Sequence, residues 1–364
     1  MRTRAMSALA ALMLVPSVAR ADLGTPLVWG MGFHLFLGNL LVGALEGAIL
    51  ASTFGLKLRR SIGLLIVANY VSSWVGLWAI DKLARWLDPD LYHGLQAAFG
   101  LIATTYVLTL VLEWPFVAIA VGGTPGWLRR SVQGSLIAQT ASYVLIFGAY
   151  ALVSATSLYT RFSVVPREQL SLPGGVQVFY LGAQDGDVYR LVDRSAPTRV
   201  LAWHSVHESY DPHPDSLRFD QEPDDSLAWD LVAVRAERGQ AGSTVVAVAG
   251  VVRSPRDSVW NSVQPGGPFR VPAIGAALES PWQFRTSPWP SAGMWGRNRT
   301  RGEPLRLAFG TPVLGWSIWR AIHLPGDRIL FVLGRDQICL VDLPTRRVAL
   351  LARGRGMVAS IARE

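Results

Sequence analysis

The chain has 364 residues, half of them hydrophobic, with a mean hydropathy of +0.29 and a formal net charge of +8 at pH 7. It is long enough for two domains and too apolar for an ordinary soluble protein, so a membrane portion is expected. The basicity does not point to nucleic acid. From Tyr159 onward 24 Arg and no Lys stand among 20 acidic residues, a mixed surface with no basic stripe and no nucleic-acid motif.

Residues 1–21 have the layout of a secretory signal peptide: Arg2 and Arg4, an apolar run from Ala5 to Val18, then Ala19-Arg20-Ala21 as a small-residue cleavage site. Whether this segment is removed or kept as a first helix, residue 22 is expected outside the cytoplasm. Four apolar segments follow within 22–158, at about 26–54, 62–80, 96–121 and 131–156, each of a length to cross ~30 Å of hydrocarbon. Lys57, Arg59 and Arg60 separate the first two, and Arg129 and Arg130 the last two, which assigns those loops to the cytoplasmic side. The loop at 81–95 mixes Asp81, Lys82, Arg85, Asp88 and Asp90 and is expected outside. Residues 159–364 then form an extracytoplasmic domain of a multi-pass, bacterial-type inner membrane protein.

The helical region repeats itself. Leu58-Arg59-Arg60-Ser61, Ala68-Asn69 and Ser72 recur as Leu128-Arg129-Arg130-Ser131, Ala138-Gln139 and Ser142, and 128 − 58, 138 − 68 and 142 − 72 all equal 70. Each copy follows an apolar segment holding one acidic residue, Glu46 or Glu113. The fold class expected is a membrane all-α bundle of four transmembrane helices in two tandem hairpin repeats, with any shared site at the repeat interface.

Counting inward from the arginine-bearing helix ends places Glu46, Asn69, Glu113 and Gln139 at one depth, on the order of 12 Å inside the boundary at ~1.5 Å per residue. Ser72 and Ser142 lie one turn farther along the same faces. A carboxyl in hydrocarbon costs about 2.5–3.5 kcal/mol on insertion scales, so both should face the bundle interior. Gly32, Asn39 and Glu46 are spaced by seven, and Gly43-x-x-x-Gly47 brackets Glu46 as a close-packing face. Pro115, two residues after Glu113, removes a backbone donor and frees the carbonyl of Val111. His34 is about 120° off the Glu46 face and reads as a packing or snorkelling residue. The layer has three readings: hydrogen-bonded glue between helices, a proton or cation site, or a buried substrate or headgroup site.

After Tyr159 the pattern turns to short β-rich segments punctuated by Gly, Pro and Asp, giving an all-β outer domain. Val178-Phe-Tyr-Leu-Gly182 with Arg190-Leu-Val-Asp193 and Thr198 to Val200 matches Leu330-Phe-Val-Leu-Gly334 with Cys339-Leu-Val-Asp342 and Thr345 to Val348. That is a strand, turn, strand, turn, strand unit of propeller-like appearance. Asp193 and Asp342 read as turn formers, and Cys339, the single cysteine, as a small buried residue in a strand. His204, His207, Asp211, His213 and Asp215 are candidate metal ligands without a defined ligand spacing, in a segment that otherwise reads as a solvated acidic loop. Trp282, Trp289 and Trp295 with Pro281, Pro288 and Pro290 suit core packing, a membrane interface or a partner surface.

No Walker A, dinucleotide, G-x-S-x-G or Cys-His pattern occurs, so no cofactor is indicated and enzyme chemistry is unsupported. The function expected is binding, sensing or scaffolding in the cell envelope through the outer domain, with the lipid bilayer and an envelope protein as partners. The alternative is a small ion- or proton-coupled transporter built on Glu46 and Glu113.

Overall fold

The computed structural model describes residues 26–193, 195–204, 215–221, 228–235, 243–252, 269–287 and 292–362. The expected signal segment, and His207, Asp211, His213 and Trp289, lie outside the described residues. The chain divides into two units, Met1–Ala155 with Gly310–Gly315, and Thr156–Phe309 with Trp316–Glu364.

The first unit is helical. Helix α1 (Pro26–Phe33) runs through a π turn (His34–Gly38) into α2 (Asn39–Phe54), followed by α3 (Leu58–Leu87), α4 (Gly94–Val121) and α5 (Trp127–Val153). The stretches Gly30–Phe54, Leu58–Leu87, Gly94–Val121 and Trp127–Val153 are long and apolar enough to cross a membrane. Helix α3 is longer than the apolar run 62–80 that announces it. Hydropathy sees only the middle of a helix, whereas Arg59, Arg60, Lys82 and Arg85 at its ends are good helix formers. Gly55 ends α2 in the left-handed conformation, φ 66°, its N–H donating to Ala51 O. Asp88 ends α3 in the same way at φ 36°, and Pro89 follows.

Each long helix packs against its neighbours in sequence, and α2 also meets α5, which closes a ring of four. Gly43 and Gly47 set the closest approach. A Cβ on either would lie 2.5 Å from the Cα of Ile66 or Ile62, so only glycine admits this crossing. The interior apolar cluster is Leu50, Leu65, Ala68, Val117 and Ala120. Outward stand exposed apolar side chains such as Trp74, Trp78, Phe99, Val144 and Leu152. Apolar residues outside and polar residues inside reverse the soluble pattern.

The second unit is β-rich and centres on a curled eight-stranded sheet. Its strand order is Ile318–Leu324, Arg328–Leu333, Gln337–Asp342, Arg347–Ile361, Val176–Gly182, Val188–Val192 and Thr198–Leu201, with Ser163–Val164 parallel to Arg347–Ile361. The 15-residue strand Arg347–Ile361 joins two meanders. Its first half pairs with Gln337–Asp342 and its second half with Val176–Gly182. A bulge between Arg355 and Val358, with Gly356 at φ 62°, bends it. The two stretches of similar sequence are these two meanders. They adjoin in one continuous sheet.

Alternation along the strands separates two cores. Val176, Val178 and Tyr180 face one, with Leu330, Ile338, Leu340 and Ala359. Phe179, Leu181 and Val358 face the other, against the three-stranded sheet Ser216–Gln221, Trp229–Val234 and Thr244–Val252. A four-stranded sheet runs in the order Pro304–Leu307, Met294–Asn298, Trp282–Thr286 and Phe269–Arg270. Cys339 is fully buried in its strand.

Candidate functional site

Glu46 of α2 and Glu113 of α4 are both fully buried, and Asn69, Ser72, Gln139 and Ser142 are nearly so. The helix repeat of 3.6 residues explains the convergence: Asn69 and Ser72, like Gln139 and Ser142, lie three apart on one face, and each pair turns inward toward a carboxyl. Asn69 Nδ2 donates to Glu46 Oε2 at 2.6 Å, and also to Leu65 O. Gln139 Nε2 donates to Glu113 Oε2. Within each hairpin, the amide of the second helix thus binds the carboxyl of the first.

The serines cross between hairpins. Ser72 Oγ of the first donates to Glu113 Oε1 of the second. Ser142 of the second hairpin neighbours Glu46 of the first, and the two carboxyls neighbour each other. The arrangement stops short of symmetry at one atom. Glu113 has a donor on each oxygen, whereas Glu46 Oε1 is buried with no hydrogen-bond partner, and Ser142 Oγ donates to Gln139 O. Among the described residues no Lys, Arg or His side chain pairs with either carboxyl.

Other polar contacts frame this layer. Ser73 Oγ donates to Asn39 Oδ1 at 2.7 Å, one helical stage from the Asn69–Glu46 bond. Tyr106 with Thr140 and Thr109 with Tyr143 tie α4 to α5 at 2.9 Å each. His34 Nδ1 lies 2.8 Å from Tyr150 OH, which makes it an interhelical packing partner away from the carboxyls. Pro115 is accommodated inside α4 without ending the helix.

Of the metal-ligand candidates in the β-rich unit, the two described, His204 and Asp215, have separate partners. Asp215 Oδ2 accepts from Trp203 Nε1 at 3.2 Å and lies 3.9 Å from Arg235, whereas His204 Nδ1 lies 3.4 Å from Asp187 Oδ1. Among the described residues no three His, Cys, Asp or Glu side chains form a ligand set.

Asp187 itself escaped the sequence reading. It is 1% exposed, and its Oδ1 accepts the backbone N–H groups of Trp203 at 2.9 Å and His204 at 3.1 Å, while Arg199 donates to Oδ2 at 3.2 Å. Burial opposes ionisation, but the two N–H groups and the guanidinium prevail and hold the carboxyl below its ordinary value. The signal available was the turn sequence Asp185-Gly186-Asp187, with Gly186 at φ 68°. Asp193 likewise sits in a turn at φ 48°, while Asp342 ends its strand and faces Arg328 at 3.8 Å.

Comparisons of the chain with protein-family models, curated proteins and solved structures return no match. The functional reading therefore rests on this geometry.

Proposed function

We propose that the chain is an integral membrane protein of the cell envelope that binds or senses, with the helical unit as its bilayer anchor and the β-rich unit presented on the extracytoplasmic side to an envelope partner. The observation that carries this reading is the position of the arginine pairs. Arg59-Arg60 open α3 and Arg129-Arg130 open α5, so by the positive-inside rule both of those helix starts are cytoplasmic and the chain leaves α5 on the opposite side. A cytoplasm-only reporter fused at Gly126 should be active and one fused at Glu364 inactive. The reverse pattern removes the outward domain from the account.

A second reading, a small proton- or cation-coupled transporter, is favoured by one atom. Glu46 Oε1 lies in the bundle interior beside a second carboxyl, and among the described residues no cationic side chain pairs with either group. Two negative charges so placed require a proton or a small cation to neutralise one of them. Wild-type protein in liposomes would then dissipate an imposed proton or cation gradient, and Glu46→Gln would not. Equal fluxes in the two would eliminate transport and leave the pair as a bound-ion or proton site of the anchor.

A further inference from the structure

The β-rich unit contains a cavity of about 380 Å³. Its lining includes Arg270, Arg299, Ser280, Trp282, Phe284 and His323. These come from three separate stretches of chain. Pro272 O accepts the backbone N–H of His323 at 2.8 Å, and Ala273 bridges His323 in parallel, which brings the stretch after Arg270 against strand Ile318–Leu324. Arg299 N donates to Pro281 O at 2.9 Å, which brings the third stretch in.

The two arginines enter from opposite ends of one strand. Arg270 is the register partner of Arg285, and Arg299 is anchored beside Pro281, four residues back along the chain. They flank that strand on opposite sides, so with four residues along it at ~3.4 Å each and two strand spacings of ~4.8 Å across it their backbones are roughly 17 Å apart, and both residues line the cavity. Both residues are exposed, and among the described residues no carboxylate pairs with either guanidinium. One wall is aromatic: Trp282 stacks on Phe284 with ring centroids 5.7 Å apart, and the Phe284 ring meets His323 edge-on at 5.0 Å.

His323 supplies the polar group at depth. Its side chain is 2% exposed, and Nε2 faces Asp327 Oδ1 at 3.5 Å, too far for a well-formed hydrogen bond. Burial holds the imidazole below its ordinary value, against the upward pull of Asp327. Asp327 Oδ1 is already engaged by Ser280 Oγ, which donates to it at 2.6 Å.

We propose that this cavity binds a compact organic dianion, a dicarboxylate or a phosphorylated acid. Arg270 and Arg299 take the two anionic ends, the Trp282–Phe284 wall takes the carbon skeleton, and His323 Nε2 bonds a ligand oxygen between them. Guanidinium groups suit both kinds of oxyanion because they donate in pairs. The volume is within the range of small-molecule pockets and admits a skeleton of a few carbons. The proposal concerns the cavity alone and holds for either orientation of the chain in the bilayer.

The test is calorimetric titration of the full chain in neutral detergent with glutarate, adipate, 3-phosphoglycerate, inorganic phosphate and the uncharged glutaramide. Saturable binding of at least one organic dianion is expected, with a dissociation constant on the order of 1 mM or tighter. Glutaramide should not bind. Arg270→Gln and Arg299→Gln should each weaken the ligand at least ~10-fold, the lysine variants less, because charge is kept and the paired donors are lost. Arg285→Gln, beside Arg270 but outside the lining, should leave binding unchanged. A dicarboxylate or a phosphorylated acid as the tighter ligand identifies the class. No saturation by any dianion up to ~10 mM, inorganic phosphate binding as tightly as the best organic ligand, or wild-type affinity in either glutamine variant would each overturn the proposal.

Discussion

The two units bury carboxylates in opposite ways. Asp187 in the β-rich unit is surrounded by fixed complements, two backbone N–H groups and Arg199, so its charge belongs to the folded structure. Among the described residues, Glu46 and Glu113 in the helical unit meet amides and hydroxyls but no cation, and Glu46 Oε1 makes no hydrogen bond. A carboxylate with its complement built in is a staple for a turn. On the proposed transporter reading, a pair without one depends on something mobile, a proton or an ion, and so responds to its surroundings.

The largest effect is expected from separating the helices that create the layer. Gly47→Val places new atoms against the Ile62 backbone, where even a Cβ would lie 2.5 Å from its Cα. Overpacking of this kind costs about 3 kcal/mol or more when backbone must move. Gly100→Ala, with nothing within 4 Å of its Cβ, should be nearly neutral. Thermal midpoints in detergent compare the two. Similar midpoints would mean that the α2–α3 contact does not hold the layer together.

Removing the built-in staple should come next. Asp187→Ala strands the buried N–H of Trp203 and the part-buried N–H of His204 and should cost about 1–3 kcal/mol. Because the folded carboxyl titrates below its unfolded value of ~3.9, its stabilisation is complete above that pH and is lost as pH falls through the lower, folded value. Asp187→Asn should remove that part of the acid sensitivity of the β-rich unit. Denaturant unfolding between pH 3 and 6 measures it, and an unchanged acid limb would remove Asp187 as its cause.

A smaller effect belongs to His323. Its folded value is depressed, so the unfolded chain takes up a proton near pH ~6.5 that the folded chain refuses, and stability is present above that pH and lost as pH falls below it. His323→Asn should flatten this dependence between pH 5 and 7, by on the order of 1 kcal/mol. A wild-type profile already flat across that range would contradict it.

The helical unit was legible because its signals are periodic. A constant offset of 70 paired the hairpins, and counting along helices placed Glu46, Asn69, Glu113 and Gln139 at one level. Residues three apart on a helix share a face whatever the tertiary context, so Ser72 and Ser142 followed. The crossing of Ser72 to the other hairpin's carboxyl, and the unpartnered Oε1 of Glu46, depend on how the hairpins pack, which spacing does not encode. In the β-rich unit the two meanders could be read as strand and turn, but not that Arg347–Ile361 would join them into one sheet. The cavity was invisible, since Arg270, Arg299 and His323 meet only through long-range pairing.

The central claim is that the Glu46–Glu113 layer needs a proton or ion, and the most direct test is the thermal midpoint of the solubilised full chain across pH 5–9, with and without added monovalent and divalent cations. Wild type should respond to pH or to one class of cation, because a species bound only by the folded state stabilises it by mass action. Glu46→Gln and Glu113→Gln should fold and lose that response, since an amide fills the same volume and donates where the carboxyl needs a partner. A wild-type midpoint indifferent to every condition, or a response undiminished in both glutamine variants, would make the layer helix–helix glue worth about 1 kcal/mol and contradict the claim.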